Sequence, residues 1–133
     1  MSTNEHDIVN NPAHYTKHAI ECIDIMESFS YPNLANAFKY IWRAGFKNNA
    51  EEDINKAKYY IRRHYEWLND GDDLSCNPVV RDLQLKLLGV VKDTMEEERY
   101  GALEEIINAN HGFSSERACI VDCTVLLGML TKS

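Results

Sequence analysis

The apolar residues of this chain recur every three or four positions, and no stretch shows convincing strand alternation. A period near 3.6 stacks side chains on one helix face, whereas a strand needs a period of two. The spacing therefore predicts an all-α fold, a compact bundle of about six helices. Residues 1–13 read as an extended arm, with Asn11-Pro12 as a turn or stop. A first helix is expected over 18–29, with Ile20, Ile23 and Met26 on its apolar side. A second runs over 32–44, opened by Pro32, striped by Leu34, Ala37, Phe38 and Ile41, and stopped at Gly45. Asn49 and Glu52 fit a capping box for a third helix, which reaches about Leu68 with Ile54, Ala57, Ile61 and Leu68 inward.

Asn69 to Asp73 is a turn or linker, and it marks a seam between two expected regions, 1–72 (arm plus three helices) and 73–133. Asn77-Pro78 opens a fourth helix that is expected to continue to about Glu98, with Leu83, Leu87, Val90 and Val91 inward. A shorter helix over 100–109 carries Leu103, Ile106 and Ile107 and ends at His111-Gly112. Ser114 or Ser115 can cap a last helix bearing Val121, Val125, Leu126 and Met129. A chain of 133 residues in such a bundle buries a modest core, so a homo-oligomer formed through an apolar face is expected.

Charge is distributed unevenly. Residues 39–63 hold seven bases against three acids, while the segments on either side are acidic, and the whole chain carries −7. An acidic envelope disfavours long nucleic acid, whose binding depends on many neutralised phosphates. A focused basic patch still suits a small anion such as a nucleotide. No apolar run approaches the ~20 residues needed to span a bilayer, so no membrane partner is expected. Met1 to Asp7 is polar, without the apolar core of a secretory signal. A cytoplasmic setting is expected, with the four cysteines as thiols.

The common catalytic motifs are missing. The six glycines are isolated, so no phosphate-cradling or dinucleotide-binding turn is present. Cys119 and Cys123, four apart and near His111, could seed a metal site, but no second Cys/His pair completes it. Small buried groups explain these cysteines more simply. Glu96 to Glu98 reads as a solvated helix end.

The informative constellation lies in residues 10–62. Lys39 and Arg43, four apart, project from one face of the second helix, and Lys47 follows it closely. Arg offers a planar fork and Lys a mobile point charge, a combination suited to a di- or triphosphate. Tyr40 and Trp42 flank them, and a ring can stack on a base. On the third helix Lys56, Tyr59 and Arg63 form a neighbouring stripe, begun by Asp53, which could hold a cation or a ribose hydroxyl. Plainer readings exist for each: Tyr40 and Trp42 as core, Lys56 paired with Glu52, His14 as a turn residue.

Four motifs in order then carry a resemblance: Asn11-Pro12-Ala13-His14-Tyr15, Ile20-Glu21-Cys22-Ile23-Asp24, Lys39 to Lys47, and Glu52 to Ile61. Over residues 9–68 the chain resembles a small phage-encoded nucleotide kinase family of the phage T7 deoxynucleotide kinase type. The resemblance implies phosphoryl transfer from ATP to a deoxynucleoside monophosphate, with magnesium, in the cytoplasm of an infected cell. It implies catalytic roles for His14, Lys39 and Arg43, with His14 binding phosphate or moving a proton. On this reading substrate contacts are expected from Asn11, Tyr15, Lys17, Trp42, Lys47 and Lys56, with magnesium held by Glu21 and Asp53. Asp24 belongs to the same motif set.

Three other readings share these residues. A non-catalytic sponge that sequesters nucleotide immune second messengers needs the basic pocket and rings but no cofactor. An all-α nucleotide pyrophosphohydrolase needs paired carboxylates, of which Glu21 and Asp24 supply only half. An acidic nucleic-acid mimic would have no use for the basic stretch.

Overall fold

A computed structural model describes residues 20–46, 49–68 and 76–131. The expectations for Asn11, His14, Tyr15, Lys17 and Lys47, and for the 69–73 turn, lie outside the described residues. The chain is all-α, with no strand among the described residues. Six helices follow one another: α1 (Cys22–Met26), α2 (Pro32–Arg43), α3 (Ala50–Trp67), α4 (Pro78–Val90), α5 (Glu97–Asn110) and α6 (Glu116–Thr131). A 3-10 turn, Lys92–Thr94, joins α4 to α5.

Local chemistry explains the helix starts. Pro32 occupies the first turn of α2 and Pro78 that of α4, where the missing N–H costs nothing. The Asn49 side chain accepts from the Glu52 N–H at 3.2 Å and opens α3. Asn77 accepts from Val79 and Val80 at 3.1 and 3.2 Å and opens α4. Ser115 Oγ accepts from the Ala118 N–H at 3.1 Å and opens α6.

Helices α2 and α3 form an antiparallel hairpin. Contacts pair Tyr31 with His64, Tyr40 with Tyr60, and Arg43 with Asp53, so the numbers run in opposite directions. Gly45 makes the turn at φ +85°, a left-handed conformation that favours glycine. Helix α6 packs on α3 and α5, and α5 packs back on α2, closing a four-helix ring. Helix α4 lies outside it, on α5 and α1. One buried cluster draws on both halves of the chain, including Phe38, Ile41, Ile61, Leu103, Ile106 and Leu126. Each such side chain contributes about 1.5–3 kcal/mol on full burial. The Tyr65 hydroxyl also donates to the Ser114 carbonyl at 2.7 Å, pinning α3 to the start of α6.

Four expectations are corrected. Helix α1 is a single short turn, with Cys22 and Ile25 buried and Ile23 53% exposed. Its end is set by Ser28, whose hydroxyl donates to the Ile25 carbonyl at 2.9 Å and competes with helical pairing. The fourth helix stops at Val90, well before Glu98. There Thr94 donates from both its N–H and its hydroxyl to the Val91 carbonyl, and Met95 turns extended. Glu97 and Glu98 instead start α5, where the helix dipole favours acids. The inward stripe of α4 is Gln84, Leu88 and Val91, with Leu83 and Val90 outside. That of α6 is Cys119, Cys123 and Leu126, with Val121 and Val125 outside.

Candidate functional site

Tyr40 sits at the centre of a basic cluster on the α2–α3 face. The Lys39 Nζ lies 4.7 Å from its ring centroid, the Arg43 Cζ 4.7 Å and the Lys56 Nζ 5.4 Å. All three fall within the ~6 Å reach of a cation–π contact. Tyr60 of α3 stacks on Tyr40 with centroids 5.9 Å apart and planes 7° from parallel. The i, i+4 spacing of Lys39 and Arg43 puts both cations on one side of α2, and antiparallel packing brings Lys56 to meet them.

Asp53 supports this cluster from below. It is fully buried in the first turn of α3, with Oδ1 3.6 Å from the Arg43 Nε. Neither carboxylate oxygen makes a hydrogen bond. An ionised carboxylate so enclosed needs a counter-charge, and Arg43 supplies it. Lys56 has a looser partner, Glu52, at 3.8 Å with both side chains about half exposed; such a surface pair is worth under ~1 kcal/mol. Lys56 is therefore free to reach an incoming anion.

Asp53 does not fit a magnesium ligand in this arrangement. Its oxygens are closed to solvent, and the guanidinium occupies the side a cation would take. Glu21 starts α1, where its N–H donates to Asp24 Oδ2 at 2.8 Å. Among the described residues no three His, Cys, Asp or Glu side chains gather in a way that could hold a metal ion. Trp42 is also displaced from its expected role. It is 1% exposed, its ring lies 5.9 Å from that of Phe38, and no face is open to a base. The reason is its position: Trp42 follows Ile41 onto the core side of α2, one turn after Phe38.

Cys119 and Cys123 point into the core, and burial raises their thiols to about 11 and about 12. His111 turns elsewhere, its Nε2 2.7 Å from Gln84 Oε1. These three residues form a packed interior.

Sequence reasoning missed Arg99. It is 1% exposed and crosses from α5 to the end of α2. Its Nη1 donates to the carbonyls of Ile41 (2.6 Å) and Trp42 (3.0 Å), and its Nη2 to that of Ala44 (2.9 Å). Its Nε donates to Glu96 Oε1 at 2.7 Å, and its guanidinium lies 4.7 Å from the Phe46 ring. The last carbonyls of a helix lack internal partners and carry partial negative charge, so a cation there satisfies both needs. Arg99 thus fixes the end of α2 from which Arg43 projects. A signal was present: Arg99, Leu103 and Ile106 share a helical stripe, which puts a base at a core position.

Residues 9–62 match the model of a family described as a protein of unknown function, DUF3310. The match includes the whole Tyr40 cluster and ends before α4. No curated protein and no solved structure matches the chain.

Proposed function

We propose that the protein binds a nucleotide on the α2–α3 face and acts as a nucleoside monophosphate kinase without a Walker-type loop, taking its phosphoryl group from ATP. The convergence of Lys39, Arg43 and Lys56 on Tyr40 carries this reading. Phosphoryl transfer asks little covalent chemistry of a protein; it asks for aligned substrates and neutralised charge. Arg43, paired with Asp53, adds its positive charge to the face where phosphate oxygens would lie. Lys39 and Lys56 add point charges at the flanks. Magnesium enters this reading as the counter-ion of ATP.

The test incubates the protein with deoxynucleoside monophosphates and with cyclic di- and trinucleotides, with and without ATP and magnesium. Bound and converted species are read by mass spectrometry. A new diphosphate is the expected product, and the double variant Lys39→Ala/Lys56→Ala is expected to form it at least tenfold more slowly with an unchanged melting temperature. These lysines serve better than Arg43, whose removal would strand the buried Asp53 and cost about 3–5 kcal/mol of stability. A nucleotide recovered intact with no product replaces transfer by sequestration, and release of pyrophosphate replaces it by hydrolysis. No binding and no product overturns all three readings.

A further inference from the structure

Two helical turns from Tyr40, at the other end of the α2–α3 hairpin, lies a cavity of about 220 Å³ lined by Tyr31, Pro32, Asn33, His64 and Trp67. Its walls are aromatic. Tyr31 stands edge-on to His64 at 4.8 Å and to Trp67 at 6.1 Å. Trp67 is 62% exposed, unusual for an indole unless something is meant to cover it. His64 is the reverse: 1% exposed, yet it lines the cavity. The first turn of α2 borders the same space, and its N-cap, Tyr31, offers no side-chain cap to the N–H groups there.

We infer that this cavity is the base subsite of the nucleotide site, so that the nucleotide lies along the α2–α3 groove with its base against Tyr31, His64 and Trp67 and its phosphates at Lys39, Arg43 and Lys56. The inference rests on the nucleotide reading above and adds where and how the ligand lies. A flat heteroaromatic ring matches both wall types: its faces suit Tyr31 and Trp67, and its polar edge suits His64 and Asn33. Burial lowers the His64 pKa to about 4, so near neutral pH the imidazole is uncharged, with one donor and one acceptor for a base edge. Spacing agrees. Asn33 and Tyr40 are seven residues apart on α2, about 10 Å along the axis and on the same face. Tyr60 and His64 are successive on α3. A sugar with a short phosphate chain bridges that length. Trp42, once its ring is assigned to the core, leaves the stacking role to Trp67.

The two ends can be tested apart, on the full chain. The four deoxynucleosides, which lack phosphate, probe the cavity, and inorganic tripolyphosphate probes the basic cluster. Binding is followed by calorimetry and by ligand-observed NMR. At least one deoxynucleoside is expected to bind and to quench tryptophan fluorescence, because exposed Trp67, unlike buried Trp42, can be covered. Trp67→Ala is expected to weaken that binding about tenfold, the loss of one stacking partner, with tripolyphosphate binding unchanged within twofold. Trp67→Phe is expected to restore most of it. Lys39→Ala/Lys56→Ala is expected to do the opposite, weakening tripolyphosphate and sparing the nucleoside. If no deoxynucleoside binds, or if Trp67→Ala leaves nucleoside binding unchanged, the base subsite is overturned while the anion site stands. If tripolyphosphate binding ignores the lysine pair, the nucleotide reading itself fails.

Discussion

Arg99 and Asp53 show how two buried charges can organise one helix end from opposite sides. Asp53 holds Arg43 at the surface of α2, and Arg99 holds the carbonyls just beyond it. A buried guanidinium making several bonds is costly to remove, because each abandoned carbonyl keeps its desolvation penalty. Arg99→Met is therefore expected to lower unfolding stability by about 3 kcal/mol, read as a lower urea midpoint with unchanged slope. Arg99→Lys should recover less than half of that loss, since a point charge cannot span three carbonyls. Full stability in Arg99→Met would show that these bonds contribute nothing net. Such residues are hard to read from sequence. The pairing of Arg99 with Ile41 bridges 58 positions, whereas local spacing reports only neighbours three or four apart.

At the scale of elements, legibility followed amphipathic contrast. Helices α2 and α3 alternate strongly between apolar and polar faces, and their spans and core residues were readable almost to the residue. Lys39, Arg43 and Lys56 were legible for the same reason, since charged positions on a marked helix face have only one way to point. Helices α4 and α6 are apolar on several sides, so the stripe was only partly right: Val91 and Leu126 are buried, while Leu83, Val90, Val121 and Val125 are exposed. Tyr31, His64 and Trp67 escaped because their meaning arises only where two helices meet. The hairpin also depends on its turn. At Gly45 a side chain would find adequate room, the nearest atom being 3.7 Å away, so only its backbone angle resists substitution. Gly45→Ala is expected to cost about 1–2 kcal/mol, measurable as a lower melting temperature. A neutral result would mean that the turn relaxes to negative φ without loss.

For the molecule as a whole, acid should be destabilising through its buried histidines. Burial lowers His64 from 6.5 to about 4, and burial, then the Arg81 charge, lowers His111. Both are neutral in the fold, and the unfolded chain takes up their protons first. Their contribution is complete above about pH 6.5 and drains away as pH falls toward the folded values. For His64 the loss between pH 7 and pH 5 is ~1–2 kcal/mol. Urea midpoints for the native protein should fall across this interval, and His64→Gln should flatten the fall. Equal pH slopes in the two proteins would remove His64 from the account.

The Arg99 clasp has a bearing on inheritance. The segment that matches the family model ends at residue 62, yet the residue that clasps the end of α2 comes from position 99. A relative that keeps the first segment and exchanges the remainder must bring its own donor for the carbonyls of Ile41, Trp42 and Ala44. The two parts of this chain are thus structurally interdependent, and a graft of residues 9–62 onto a foreign partner is expected to succeed only where the partner offers a cation at that spot.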